Sequence, residues 1–426
     1  MVFELKSGTM KEMLDISDLY IAGVVSPGNQ SWRESSPLTD SQLAEAIDNP
    51  IGYQTVGETV GPGYKVAIVV DDATRPTPTR VILPFLLERL KKAGVADEDI
   101  TITIGTGLHR PTTEQEREKI LGSSVHHHFD LADNEVRNDE KYGLAGVADG
   151  KSIWLNKRIL SAEQVFTIGV VKSHAFAGFT GGAKSILPAI ASQRTIHENH
   201  CFHNIEYPRG ILGSCEMSGT RKGMEEAARL VDPFIINVVL DGNNDIIFAA
   251  AGDVVQAHRK AVDFYAKSAM KSFPEEVDIA LVYGGYAGSV SFYQALFGCN
   301  VVKTTQRPIL KKGGIVVLYA ECREGSGSRL FEEMMPAFDS PQSILDHLES
   351  SPVVDDQWAV QFLATFLRDM KVFVVSTGLS EDLAKVLRVR LFRNAKDAME
   401  EAFSIAPKQA KVAVIENPDI LIVNKS

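Results

Sequence analysis

The residues best able to do chemistry are crowded into Lys172-Ser173-His174-Ala175-Phe176-Ala177-Gly178-Phe179-Thr180-Gly181-Gly182-Ala183-Lys184-Ser185. Gly178, Gly181 and Gly182 let the backbone approach a ligand closely and present N–H groups to a phosphate. Lys184 is expected at the entry to a helix from Ser185 onward, where an anion is electrostatically favoured. The run from Gly178 to Ser185 nearly fits the phosphate-loop pattern G-x4-G-K-S/T, but Ala183 stands at its second glycine. It also begins seven residues after the expected strand end at Val171, whereas a phosphate loop follows its strand directly. A nucleotide-binding phosphotransfer enzyme using this loop is therefore a competing reading, and the plainest one is a flexible surface turn.

Histidines are the second signal. In His197-Glu198-Asn199-His200-Cys201-Phe202-His203, His197 and His200 would share one helix face, a spacing that suits metal capture. The plain alternative is a single ligand or none, with the others hydrogen-bonded or solvated. His109 and His174 each follow an expected strand beside glycine-containing loops, where general acid–base work is plausible. His126-His127-His128 reads as a solvated loop, and His258 and His347 fall in expected helices; these five receive no role. Asp71, Asp72 and Arg75 follow the first strand, where a carboxylate can bind ribose hydroxyls and a guanidinium can clamp a carboxylate or phosphate. For Asp72 a helix cap or Asx-turn is the competing reading, given Pro76 and Pro78.

The elements that must position these groups alternate in an α/β pattern. Lys65–Val70 is a short β-branched strand that ends in the Asp71–Pro78 loop, followed by an amphipathic helix from about Val81 to Ala93 that Gly94 stops. Ile100–Ile104 and Gln164–Val171 are further strands, and the runs 234–240 and 246–250 flank a hairpin turn at Asp241-Gly242-Asn243-Asn244. A helix spans roughly Val254–Met270, and Ser272-Phe273-Pro274-Glu275-Glu276 marks a domain boundary. A second α/β unit uses 277–282, 314–319 and 372–376, and the strands 412–415 and 420–423 could close either sheet. The expected division is 1–273 as a cofactor-binding domain, 274–410 as a C-terminal α/β domain and 411–426 as closing strands. Two α/β lobes with an active-site cleft between them is the expected architecture.

Bulk composition narrows the class. The 426 residues are 44% hydrophobic and 23% charged, with a net charge of −11 that disfavours nonspecific nucleic-acid binding. Cys201, Cys215, Cys299 and Cys322 form no CxxC pair and read as reduced thiols. The N-terminus lacks a signal-peptide pattern, and no run approaches the ~20 apolar residues of a membrane span. A cytoplasmic enzyme acting on a small molecule, with no membrane or nucleic-acid partner, is the expectation.

Read in order along nearly the whole chain, the motifs resemble those of the lactate racemase family of nickel-pincer nucleotide enzymes. Asp72-Ala73-Thr74-Arg75-Pro76 resembles its D-x-T-R-P loop, and Gly107-Leu108-His109-Arg110-Pro111 its G-F/L-H-R-P segment. Ser173 through Ser185 is similar to its long S-H-x-F-A-G-F-S/T-G-G-x-K-S signature, and His200, Tyr293-Gln294-Ala295 and Asp356-Gln357-Trp358 also fall in place. The resemblance implies an isomerase, a racemase or epimerase inverting C2 of a 2-hydroxyacid by transient hydride transfer. Its cofactor would be pyridinium-3-thioamide-5-thiocarboxylic acid mononucleotide with nickel, bound covalently through Lys184. His200 would be the protein's nickel ligand, in keeping with the square-planar preference of Ni(II). His109 and His174 would be the two proton-handling bases and Arg75 the carboxylate clamp. Asp72, Thr74, Gly181, Gly182, Tyr293, Gln294 and Trp358 would bind the cofactor. Cofactor-making and nickel-inserting proteins would be required partners.

The chain departs from the lactate-acting pattern at Phe297, where those enzymes carry a substrate-holding lysine, and at Ala287-Gly288-Ser289, which replaces a more proline- and acid-containing loop. Phe297 removes a carboxylate-binding charge and adds bulk, which points to a 2-hydroxyacid other than lactate; simple core packing is its other reading. Two further classes compete. A nicotinamide-dependent dehydrogenase lacks its G-x-G-x-x-G. A zinc-dependent hydrolase built on His197 and His200 needs a third ligand and leaves Lys184 unexplained.

Overall fold

The computed structural model describes residues 1–26, 35–283, 287–416 and 421–424. The chain divides into two compact units, one of Ser31–Cys201 with Ser218–Ser268, the other of Met1–Gln30, Phe202–Met217 and Ala269–Ser426. The expected border at residue 273 lies close to this one, but residues 1–30 and 202–217 group with the C-terminal unit. The reason for the first is the strand Ile21–Val25, which pairs with Val412–Ile415. Such long-range pairing leaves no mark in a local pattern.

The first unit is built on a six-stranded sheet in the order Ile246–Gly252, Phe234–Leu240, Gln164–Val170, Val66–Asp71, Ile100–Gly105, Asp130–Asp133. All neighbours run parallel except the antiparallel edge pair 234–240 and 246–252, the expected hairpin. Gln164–Val170 is buried along its whole length, as a sheet covered on both faces requires. The helix Thr79–Lys92 follows the first strand and carries Pro84 in its interior. Pro84 costs about 3 kcal/mol there. Ile82, Leu83, Leu86 and Leu90 are fully buried against the core, at roughly 1.5–3 kcal/mol apiece, and outweigh it.

Chain order along this sheet reverses between Val66–Asp71 and Gln164–Val170. The strand 66–71 passes on to 100–105 on one side, and 164–170 to 234–240 on the other. Loops leaving the carboxyl ends of strands that diverge in this way leave a crevice for a ligand. Asp72 and His174 follow the carboxyl ends of these two strands, and His109 follows that of the neighbouring strand Ile100–Gly105.

The second unit carries a wholly parallel six-stranded sheet in the order Arg390–Phe392, Lys371–Val375, Leu310–Tyr319, Val277–Tyr283, Val412–Ile415, Ile21–Val25. The terminal strand Val412–Ile415 therefore lies inside this sheet rather than closing it, and Leu421–Asn424 pairs with Met270–Phe273. The helix expected over 254–270 runs Gln256–Ala269, with Met270 already in that strand. An antiparallel hairpin, Val2–Ser7 with Met10–Asp15, packs Phe3, Leu5 and Leu14 into the same core.

Two local expectations need correction. No helix starts at Ser185: Gly182–Ser185 is a single 3-10 turn. Pro188 has no N–H to give the Lys184 carbonyl, which accepts from the Ala189 N–H instead (3.3 Å). The triple histidine is not a solvated loop either, because His126 is buried at the end of the short helix Ser123–His126. All four cysteines are free. Among the described residues no helix is long and apolar enough to cross a membrane.

Candidate active site

The signature segment leaves the strand 164–170 and folds back through two short antiparallel strands, Ser173–His174 and Ala177–Phe179. Thr180 ties the return, its hydroxyl donating to the Val170 carbonyl (2.6 Å) and accepting the Lys172 N–H (2.9 Å). Gly181 and Gly182 then run at φ 74° and 58°, in the left-handed region that favours glycine. A Cβ on Gly182 would sit 2.7 Å from the His258 ring, and one on Gly181 2.9 Å from Asn237 Oδ1. The two glycines thus serve close packing as well as backbone conformation.

This fold-back brings Lys184 to His174, with Nζ 2.9 Å from Nε2. Both side chains are half-buried. The Phe176 ring stands edge-on to both histidines, its centroid 4.7 Å from that of His174 and 5.2 Å from that of His200. His200 is buried just past the helix Gln193–Asn199, where it caps the C-terminus with its N–H on the Ile196 carbonyl (2.8 Å). The helix therefore ends before it can carry His197 and His200 on one face. Among the described residues, no group of three histidine, cysteine or carboxylate donors includes either residue, which removes the expected basis for a zinc hydrolase.

The electrostatics are one-sided. Burial holds the Lys184 ammonium far below its usual range, and Arg75 and Arg221 add to the shift while Asp71 opposes it. His174 is lowered well below the ordinary histidine value by burial and then by Lys184, Arg75, His200 and Arg221. Burial, with Lys184 and His197, lowers His200 to about 3. At neutral pH His174 and His200 present neutral nitrogen lone pairs, and Lys184 is pushed toward its own neutral form. Such a group suits a ligand that binds through donated lone pairs and carries its own negative charge.

Asp72 closes the neighbouring side. One carboxylate oxygen accepts from His109 Nδ1 (2.7 Å), and the other takes the Thr74 N–H (3.1 Å) and hydroxyl (2.5 Å). Burial pushes its carboxyl up, but the hydrogen bond and charge of His109, helped by Thr74 and Arg75, outweigh this and hold it below its usual value. Asp72 is thus an Asx-turn residue and a histidine partner at once, with both oxygens taken. Arg75 Nη1 reaches only Thr74 Oγ (3.2 Å) and its carbonyl (3.5 Å), and among the described residues it has no carboxylate partner.

Three supporting residues escaped the sequence reading. Arg221 is fully buried and donates to the carbonyls of Ala177 (3.2 Å), Gly181 (3.1 Å) and Phe179. Asn237 accepts the Gly182 N–H (2.8 Å). His258 bonds the Thr180 carbonyl through Nε2 (2.9 Å). Asn237 left a signal, a lone amide in the apolar run 234–240, whereas Arg221 sits in a stretch that reads as an exposed turn.

Within the other unit, Trp358 donates its indole N–H to the Tyr293 hydroxyl (2.9 Å). Phe297, half-buried, lies edge-on between Tyr293 (5.3 Å) and Phe362 (5.6 Å). Gln294 is exposed, with its backbone N–H on the Ser291 cap (3.4 Å).

Comparisons with known proteins agree with this architecture. The lactate racemase N-terminal domain model matches residues 8–210 and the lactate racemase C-terminal domain model residues 273–423. Lactate racemase of Lactiplantibacillus plantarum is 33% identical over 395 residues, covering 91% of this chain and 92% of that protein. Lactate racemase of Thermoanaerobacterium thermosaccharolyticum is 30% identical over 427 residues, covering 99% of each. The structure of the lactate racemase apoprotein from the same organism superposes with a TM-score of 0.90 at 29% identity over 100% of both chains. A Thermotoga maritima protein of 18% identity shares the fold, with a TM-score of 0.69 over 92% of this chain. With two family domains accounting for most of its length in one α/β architecture, this chain belongs to the lactate racemase family of isomerases.

Proposed function

We propose that this protein is a racemase or epimerase that inverts C2 of a 2-hydroxyacid with a nickel-pincer nucleotide held on Lys184. The observation that carries this reading is the Lys184–His174 contact with neutral His200 across the Phe176 ring. The donor set fits the group. Burial pushes Lys184 toward the free amine that a thioamide link needs, and His200 is a neutral imidazole able to complete a square-planar nickel. Gly181 and Gly182 are assigned to the nucleotide, with Thr74, Tyr293, Gln294 and Trp358. When bound, such a group supplies an acceptor and donor of hydride for the substrate carbon.

The chain's own residues then handle the proton and the charge. Asp72 holds His109 Nδ1–H, which leaves Nε2 to accept the hydroxyl proton of one enantiomer. His174 serves the other enantiomer from its own loop. We therefore assign Asp72 to orienting His109 rather than to a ribose. Arg75, which makes no hydrogen bond to a carboxylate among the described residues, grips the substrate carboxylate. Phe297 is assigned to substrate choice, and its phenyl ring favours a 2-hydroxyacid larger than lactate. Protein made without the cofactor-producing and nickel-inserting enzymes is expected to be inactive.

The test is a panel of enantiopure 2-hydroxyacids incubated with protein co-expressed with those enzymes and followed by chiral chromatography. Inversion of larger or sugar-derived acids, with little of lactate, is expected. Failure to invert any 2-hydroxyacid would overturn the assignment.

A further inference from the structure

Between the strands Ile100–Gly105 and Asp130–Asp133 lies a second group of nitrogen and oxygen donors. Glu114 opens the helix Glu114–Leu121, His126 ends the short helix Ser123–His126, and His127 caps it. One donor atom from each of the three lies within 4.8 Å of the others. His126 is buried, with Nε2 2.6 Å from Glu114 Oε1 and with Nδ1 buried and without a hydrogen-bond partner. The His127 ring packs 4.5 Å from it, centroid to centroid. A simple Glu114–His126 pair accounts for one contact only. It gives His127 no part.

We propose that Glu114, His126 and His127 form a binding site for a divalent transition-metal ion, zinc(II) or nickel(II), separate from Lys184 and His200. Two imidazoles and a carboxylate, with water completing the shell, are the donors such ions take. Calcium and magnesium prefer oxygen ligands alone. Donors around a tetrahedral zinc at about 2.0–2.1 Å stand about 3.3 Å apart. The donors of the group lie within 4.8 Å of one another, with Glu114 and His127 exposed and His126 buried. The site also bears on any nickel count, because metal held here does not depend on Lys184.

The experiment is equilibrium dialysis of full-length, tag-free protein, made without the cofactor-producing enzymes, against nickel chloride and in parallel zinc chloride. Metal content is then measured by mass spectrometry. One bound equivalent is expected, with affinity weakened at least about tenfold in His127→Ala and in Glu114→Gln and unchanged in His200→Ala. Matching thermal melts without metal confirm that these variants fold. Tight binding of either ion supports the site, and the comparison shows which ion it prefers. Absence of stoichiometric binding, binding indifferent to His127→Ala, or binding lost in His200→Ala would overturn it.

Discussion

Lys184 Nζ lies 2.9 Å from His174 Nε2, a lysine against an imidazole where an ion pair would be ordinary. Burial and the nearby guanidinium groups push the lysine toward its uncharged form, which makes it more nucleophilic than an exposed lysine. Brief treatment of the cofactor-free protein with a small acylating reagent near neutral pH should therefore modify Lys184 ahead of exposed residues such as Lys92, as read by peptide mass spectrometry. Equal or slower labelling of Lys184 would mean that it is an ordinary ammonium.

The Asp72–His109 hydrogen bond makes a kinetic prediction. Asparagine at 72 can present an N–H to His109 Nδ1, which forces the ring proton onto Nε2 and removes the base. Asp72→Asn should lower kcat by on the order of 10²–10³-fold with little change in KM. For a pair of enantiomers the equilibrium constant is unity, so kcat/KM must fall equally in both directions. A change confined to KM would place Asp72 in binding instead.

Much of this site was legible in the chain because strand ends and glycine loops carry their own patterns. The apolar runs at 66–70, 100–104 and 164–171 locate the sheet, and the His109 and His174 segments follow the second and third of them. The scaffold behind the loops was not legible. Arg221 acts through three backbone carbonyls, which no side-chain spacing reports, and His126 is buried by packing that its polar neighbours conceal. Lys184 was assigned to a helix entry that Pro188 interrupts, yet its place in the site rests on the glycine turn rather than on a helix dipole.

Acid should destabilise the fold through His200 and His258, both buried and both held below the usual histidine range mainly by burial. Below about pH 6.5 the unfolded chain takes up protons that the native state refuses, so stability falls as pH falls, until His200 protonates at about 3. Each group contributes about 1.4 kcal/mol per pH unit in that window. Urea unfolding of the cofactor-free protein between about pH 7 and about pH 5 should show this loss, with a shallower slope in His258→Gln. Flat stability across the window would contradict neutral buried histidines.

Phe297 lies in a row with Tyr293 and Phe362. Phe297→Lys adds the carboxylate-binding charge that the proposed reading of Phe297 assigns to a lactate-acting site. A charged hydrogen bond to the substrate carboxylate should raise kcat/KM for lactate by about tenfold to a hundredfold relative to bulkier acids. Loss of activity on every acid, with an unchanged melting temperature, would show that Phe297 does not set the choice between acids.

Intact-protein mass spectrometry tests whether Lys184 carries the cofactor. Protein co-expressed with the cofactor-producing and nickel-inserting enzymes should show a stable mass increment matching a sulfur-containing pyridinium mononucleotide. Lys184→Ala should show none, and His200→Ala should keep the organic increment while losing the nickel held with it. Well-folded protein from the same co-expression that carries no increment, or an increment that survives Lys184→Ala, would contradict the account.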